Sequence, residues 1–363
     1  MKEKTDSPIT PKTYITSNAN CLSIIITWLR FPLIFLIVML HCYSVQRLEG
    51  VHELFFKAVY PFALWLGETG VPAFFFISGF LFFLSKKNYI VKLRSRFHSL
   101  FIPYVLWNLL VLLLYVFVYT LGYPQNINGK NIVDYSFVDY LRLFWDRGSY
   151  DDGNFVPLLC PLWYIRNLII MSMISPFLYY IIRYVREVFL LIVAIWWMMT
   201  PHNAFISQTI LFFSLGAYFA ILAINPLEAI YKRKSLILTL FVIFSIGDIL
   251  SHVYIGTPVN LQIHRLSLIF NIPALFFLGD WCVRHGYTSK WLPNTTFIVF
   301  CVHYPIVVVL RKLCATQYSD ASDLVHILLY FSCVIISTVL SLSIYQILNN
   351  YFPKVKNILS GNR

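Results

Sequence analysis

The stretch TWLRFPLIFLIVMLHCYS carries two ionisable side chains, Arg30 and His41, inside an otherwise apolar run. They stand eleven positions apart. Eleven steps of about 100° close three turns with only ~20° left over, so both fall on one helical face, roughly 16 Å apart along the axis. An ionisable group inside a membrane span is costly, faces a cavity or a partner, and marks a functional position by default. Structural readings compete with that one. Arg30 lies near an end of the run and can snorkel to headgroups, and a neutral His41 can donate to a carbonyl on a neighbouring helix. Further on, Arg94-Ser95-Arg96 sets two guanidinium forks, a group suited to phosphate, close together. Lys86 and Lys87 beside them read as anchors. A third group lies in a polar segment, 122–156, where Trp145, Asp146, Tyr150, Asp151 and Asp152 cluster. Rings beside carboxylates and amides suit a sugar surface; a solvated loop with interfacial aromatics has the same composition.

These residues need elements to position them, and the composition says of what kind. Hydrophobic residues make up 59% of the 363 and charged residues 12%, against roughly 45–50% and 25% in soluble proteins. A mean hydropathy of +0.70 leaves too little polar surface to cover a water-soluble body. Disordered tails and disulfide-stapled secreted domains are excluded by the same figures. An outer-membrane barrel needs short alternating strands, whereas these apolar runs are long and continuous. The net charge of +12 does not point to nucleic acid. Its basic residues fall in short clusters between apolar runs, the pattern of anchoring at an anionic membrane. The seven cysteines are scattered without a CxxC pair and imply neither a metal nor a redox site. Residues 1–22 lead into a run too long for a cleavable signal peptide.

The expected fold is therefore an all-α integral membrane protein, a single bundle of about ten helices. On a ruler of about 20 apolar residues per crossing, the spans are 23–45, 58–84, 98–121, 157–182, 187–201, 203–224, 235–255, 260–282, 291–313 and 324–350. The fifth is short and is followed by Pro201. Placing the N-terminus in the cytoplasm puts nineteen Lys and Arg inside against eight outside, with Arg166 within a span, so both termini are expected inside. The domain organisation is then a cytoplasmic tail at 1–22, a membrane domain at 23–350 with an extracytoplasmic loop at 122–156, and a cytoplasmic tail at 351–363.

Arg30-x10-His41, then Gly70-Val71-Pro72 running into Phe74-Phe75-Phe76-Ile77-Ser78-Gly79-Phe80, then Arg94-x-Arg96 and Pro103, resembles the acyltransferase-3 family. Leu162-Trp163-Tyr164-Ile165 and Cys301-Val302-His303-Tyr304-Pro305 add to the likeness, which runs from about residue 20 to 350. These are multi-pass proteins of the bacterial cytoplasmic membrane that O-acylate, most often O-acetylate, cell-surface glycans. Some members carry an additional soluble hydrolase-like domain. The resemblance implies acetyl-CoA, or another acyl-CoA, as a co-substrate from the cytoplasm, with no permanently bound cofactor and no metal. It implies a surface polysaccharide or lipid-linked glycan as acceptor. Arg30, Arg94 and Arg96, with Ser78, would meet the acyl-CoA. His41 would lie at the thioester, as general base or covalent acyl carrier. Glu68 is the first candidate for an orienting partner of His41, ahead of Asp248 and His303. Trp163, Arg166, Trp145 and His303 would contact the acceptor, Arg166 alternatively pairing with a carboxylate.

Two other classes fit the composition. A transporter or flippase of a glycan or lipid-linked sugar has many spans and buried charges, but many such folds show duplicated halves, and none is visible here. A non-catalytic assembly or sensor protein would not require Arg30 and His41 on one face.

Overall fold

The computed structural model describes residues 11–43, 53–123, 125–127, 129–147, 155–200 and 205–362. Backbone in a lipid environment must satisfy its own hydrogen bonds, which long apolar segments do by coiling. Seven helical stretches among the described residues are long and apolar enough to cross a membrane: Cys21–Cys42, Glu53–Leu84, Tyr89–Thr120, Lys234–Tyr254, Pro258–Arg284, Leu292–Gln317 and Asp323–Tyr351. Each matches one of the expected spans.

The first belongs to α1 (Pro11–Cys42), which begins well before the apolar run and crosses Pro32. The second is a composite. α2 (Glu53–Tyr60) passes through a π-helical turn, Pro61–Leu66, and a 3₁₀ turn, Gly67–Thr69, into α3 (Gly70–Leu84). Pro61 supplies no backbone donor, so the regular ladder cannot run through it, and the irregular turns carry Glu68. In the third, α4 (Tyr89–Arg96) joins α5 (Ile102–Thr120) through another π turn, Phe97–Phe101. The described part of the 122–156 segment holds a small antiparallel pair, β1 (Asn126–Ile127) with β2 (Lys130–Asn131), and α6 (Phe137–Leu143).

The region expected to hold spans four to six is less regular. α7 (Trp163–Met173) has 11 residues, about 16 Å of helix against a hydrocarbon core of about 30 Å. It does not cross alone. α8 (Ser175–Met199) follows at once with a proline in its first turn and leaves helical geometry at Arg186, φ 52° and ψ −127°. That break falls in the gap expected between spans four and five. α9 (Phe205–Ile221) is a shorter apolar helix. The remainder is α10 (Pro226–Tyr231), α11 (Lys234–Leu250), α12 (Pro258–Arg284), α13 (Leu292–Gln317), α14 (Asp323–Tyr351) and α15 (Pro353–Ser360).

The last described residues, 353–362, pack against the bundle. α15 docks on α5, with the Trp107 indole donating to the Leu359 carbonyl at 3.0 Å. Gly361 closes the contact at φ 67°, where an added Cβ would lie 2.5 Å from the Ser99 carbonyl oxygen.

The closest helix pair is α3 with α9. A Cβ on Gly79 would sit 2.0 Å from the Phe213 carbonyl oxygen, and one on Gly216 would sit 2.0 Å from that of Phe76. Small residues let backbones meet where no hydrophobic drive exists between helices and lipid. Gly79→Ala and Gly216→Ala are therefore expected to destabilise the bundle by about 1–3 kcal/mol or more through overpacking. Gly247→Ala, whose new methyl would meet only an Ile263 side-chain carbon at 3.4 Å, should be near neutral. Thermal unfolding of the three variants in one detergent checks the contrast.

Candidate active site in two back-to-back cavities

A cavity of about 360 Å³, inner in the orientation expected from the sequence, is lined by Arg30 and Ile34 of α1, Ser78 of α3, Arg96 of α4, Tyr164 of α7 and Asn294 of α13, among others. Three of the residues expected at the acyl-CoA, Arg30, Arg96 and Ser78, are thus brought together from three helices. Arg94 does not join them: it is exposed, while Arg96 is partly covered. A two-residue step on a helix turns a side chain through about 200°, which is why the two arginines part company. Ser78 and Tyr164 share a hydroxyl–hydroxyl hydrogen bond of 3.1 Å at the cavity wall.

A second cavity of about 240 Å³, outer in that expected orientation, is lined by His41, Glu68, Trp163, Gln208, His264 and Arg265, with apolar neighbours. Consecutive residues of α7 serve opposite sides, Trp163 the outer cavity and Tyr164 the inner one. Phe75, fully buried, packs against both residues, its ring 5.9 Å from Trp163 and 4.7 Å from Tyr164. α1 passes along both cavities, offering Arg30 to one and His41 to the other.

The protonation pattern of His41 follows from its partners. Its Nδ1 lies 2.9 Å from the Ile37 carbonyl oxygen and 3.1 Å from Nε2 of His303. Nδ1 of His303 lies 2.9 Å from the Val299 carbonyl oxygen. A carbonyl oxygen only accepts, so both Nδ1 atoms carry protons. Nε2 of a neutral His303 is then a lone pair, accepting from His41. That leaves Nε2 of His41 with its own lone pair, engaged by no described residue. His303, expected among the acceptor contacts, is placed against the ring of His41. Tyr304 adds an edge-on ring at 5.3 Å.

Glu68 is oriented differently from the sequence expectation. Its Oε2 meets Nε2 of His264 at 3.0 Å, and Nδ1 of His264 meets Oδ2 of Asp248 at 2.8 Å. An imidazole between two carboxylates donates from both nitrogens, so His264 is an imidazolium. Asp248 is fully buried and also accepts from Ser267 at 2.6 Å and Tyr60 at 2.7 Å. Asn260 donates to the Tyr60 oxygen at 3.1 Å. His264, Tyr60 and Asn260 were not foreseen from the sequence. The rule that singles out Arg30 and His41, an ionisable group inside an apolar run, applies equally to His264 and Arg265.

Arg166 is turned to the chain's own backbone. Its guanidinium donates to the carbonyls of Trp145 at 2.6 Å and Phe155 at 2.9 Å, and to the Asn167 amide oxygen at 3.3 Å. It ties Trp145 to Phe155 within the 122–156 segment and sits 5.3 Å from the Trp145 ring. Trp145 remains half exposed, while Trp163 is buried and stacked on Phe205 at 4.1 Å. Within the segment, Ser136 and Asp139 cap α6 reciprocally. The Lys130 ammonium, followed by the Ser136 amide and hydroxyl, holds the Asp139 carboxyl down to about 2. Tyr150, Asp151 and Asp152 lie outside the described residues.

Another cavity, about 650 Å³ between α8, α9 and α12, is almost wholly apolar, with Glu187 its one charged lining residue. The concentrated polar chemistry is in the other two.

A family described as an acyltransferase domain, the third of its series, matches residues 24–346. The chain belongs to the acyltransferase-3 family. Membership covers every helix that lines the two cavities, so the chain is a multi-pass membrane acyltransferase. A curated relative, the succinoglycan biosynthesis protein ExoH of Rhizobium meliloti (strain 1021), is 23% identical over 322 residues, covering 83% of this chain and 82% of its own length. No solved structure matches the chain.

Proposed function

We propose that this acyltransferase moves an acyl group, in the first instance acetyl, from cytoplasmic acyl-CoA to a hydroxyl of a cell-surface glycan, at the bacterial cytoplasmic membrane. The observation that carries the reading is the pair of cavities on α1, cationic on one side and histidine-lined on the other. Acyl-CoA is an anionic phosphate carrier with a long flexible arm. Arg30 and Arg96 supply guanidinium forks for its phosphates, and the roughly 16 Å rise of α1 from Arg30 to His41 matches the reach of that arm. A glycan hydroxyl is a poor nucleophile, and the free Nε2 of His41 is available as base or as acyl carrier. The excess of Lys and Arg on the Arg30 side supports a cytoplasmic position for that side and for both termini. The ExoH relative acts in the biosynthesis of a polysaccharide by name, which supports a glycan acceptor.

The test is radiolabelled acetyl-CoA supplied to membranes that contain the protein. Label appearing in alkali-labile linkage on glycan is the expected result. Movement of glycan across the membrane without acylation would replace the proposal with transport.

The inner cavity gives a sharper expectation. Arg96→Ala should weaken acyl-CoA binding by about 1.5–3 kcal/mol, the range for hydrogen bonds to charged groups. Arg94→Ala, at an exposed position, should change it by about twofold at most. Equilibrium binding of labelled acyl-CoA to the two purified variants decides between them.

A further inference from the structure

Two acid–base centres share the outer cavity. One is His41 with His303; the other is Glu68 with His264 and Asp248. Glu68 meets His264, and His41 meets His303. Glu68 is the member open to the cavity, its side chain about a third exposed, while His264 and Asp248 behind it are buried. A carboxylate aimed into a cavity and fixed from behind by a buried imidazolium accepts a hydroxyl proton in a defined direction.

On the two-cavity reading of acyl transfer, we infer that Glu68 is the base for the acceptor hydroxyl, and that His41 carries the acyl group covalently between donor and acceptor. The proton arrangement suits this division. Nε2 of His41 attacks the thioester carbonyl; the C–N bond forms, the C–S bond breaks, and coenzyme A leaves as its thiolate. The Nδ1 proton of His41 passes to the lone pair on Nε2 of His303, 3.1 Å away. In the second step the acceptor oxygen bonds to the acyl carbon and gives its proton to Glu68. The C–N bond breaks, and the proton held on His303 returns to Nδ1 of His41. Glu68 releases its proton to water and the thiolate takes one up, so protons balance over the cycle. An acylated His41 has no Nε2 lone pair with which to deprotonate the acceptor, so a second base is required, and Glu68 is in the same cavity. His264 and Asp248 are positioning residues in this scheme.

The experiment separates the half-reactions. Purified wild-type protein, Glu68→Gln, Glu68→Asp and His41→Ala are each mixed with [14C]acetyl-CoA. Label on rapidly denatured protein is counted without acceptor, and label on glycan is counted with the source organism's own surface polysaccharide after alkaline removal of its acyl groups. Glu68→Gln should form labelled protein within about twofold of wild type, while transfer to glycan falls about 10²-fold, the lower end of a general-base contribution. Glu68→Asp should recover part of the transfer, which a merely structural loss would not do. His41→Ala should lose both steps. Glu68→Gln transferring at the wild-type rate, or losing both steps in proportion, overturns the inference. Wild-type protein that acylates glycan without ever carrying label overturns the covalent route alone and leaves the proposed activity standing. Wild-type protein that moves no label to anything refutes the proposed activity itself.

Discussion

His41→Ala is expected to give a protein that inserts, binds acyl-CoA and acylates glycan about 10²–10⁴-fold more slowly per folded molecule. The imidazole lies on the outer cavity, away from the arginines of the inner one, so removing it should leave donor binding largely intact. His303 would lose the donor to its Nε2, a modest structural effect because the Val299 carbonyl still holds its Nδ1. Arg30→Ala should act through binding or folding instead. Arg30→Lys keeps charge without the fork and should rescue in part. His41→Gln keeps hydrogen-bonding capacity without a basic nitrogen and should not rescue at all. Acylation rate and acyl-CoA affinity measured on the same samples separate these cases.

The second large effect is on stability. Asp248→Ala removes the fully buried one of the two carboxylates that hold the His264 imidazolium and leaves Tyr60 and Ser267 without their shared acceptor. Breaking a buried charge pair from one side costs about 3–5 kcal/mol, and Glu68, still paired with His264 but partly exposed, offsets only a part of that. Asp248→Asn restores an acceptor oxygen but not the charge, and should fall between. Midpoints of thermal unfolding in detergent order the three proteins. If Asp248→Ala matches wild type, His264 is not held as an imidazolium.

Much of this arrangement was legible along the chain, because span length and side-chain period are local properties. The shared face of Arg30 and His41 follows from their spacing alone, and the interruption at Arg186 was visible as charge beside a short span. What could not be read is pairing between helices. Glu68 and His264 are 196 residues apart, and nothing local to Glu68 distinguishes His264 from His41 as its partner. Arg166 shows the same limit in reverse. An arginine near the end of a span suggests a carboxylate or a ligand, yet its nearest acceptors are backbone carbonyls of a segment that folds back over it. α15 escaped notice because eight residues with two lysines look like a soluble tail, and only the docked Trp107 and Ser99 surfaces make it a packed helix.

Acyl transfer is expected to run across the membrane, from a donor on the Arg30 side to an acceptor on the His41 side. Proteoliposomes that enclose [14C]acetyl-CoA and are bathed in de-acylated polysaccharide test it most directly. Molecules oriented with the inner cavity toward the lumen should label the external glycan, and His41→Ala proteoliposomes should not. Labelling only when donor and acceptor share a compartment, or equal labelling by His41→Ala, would contradict it.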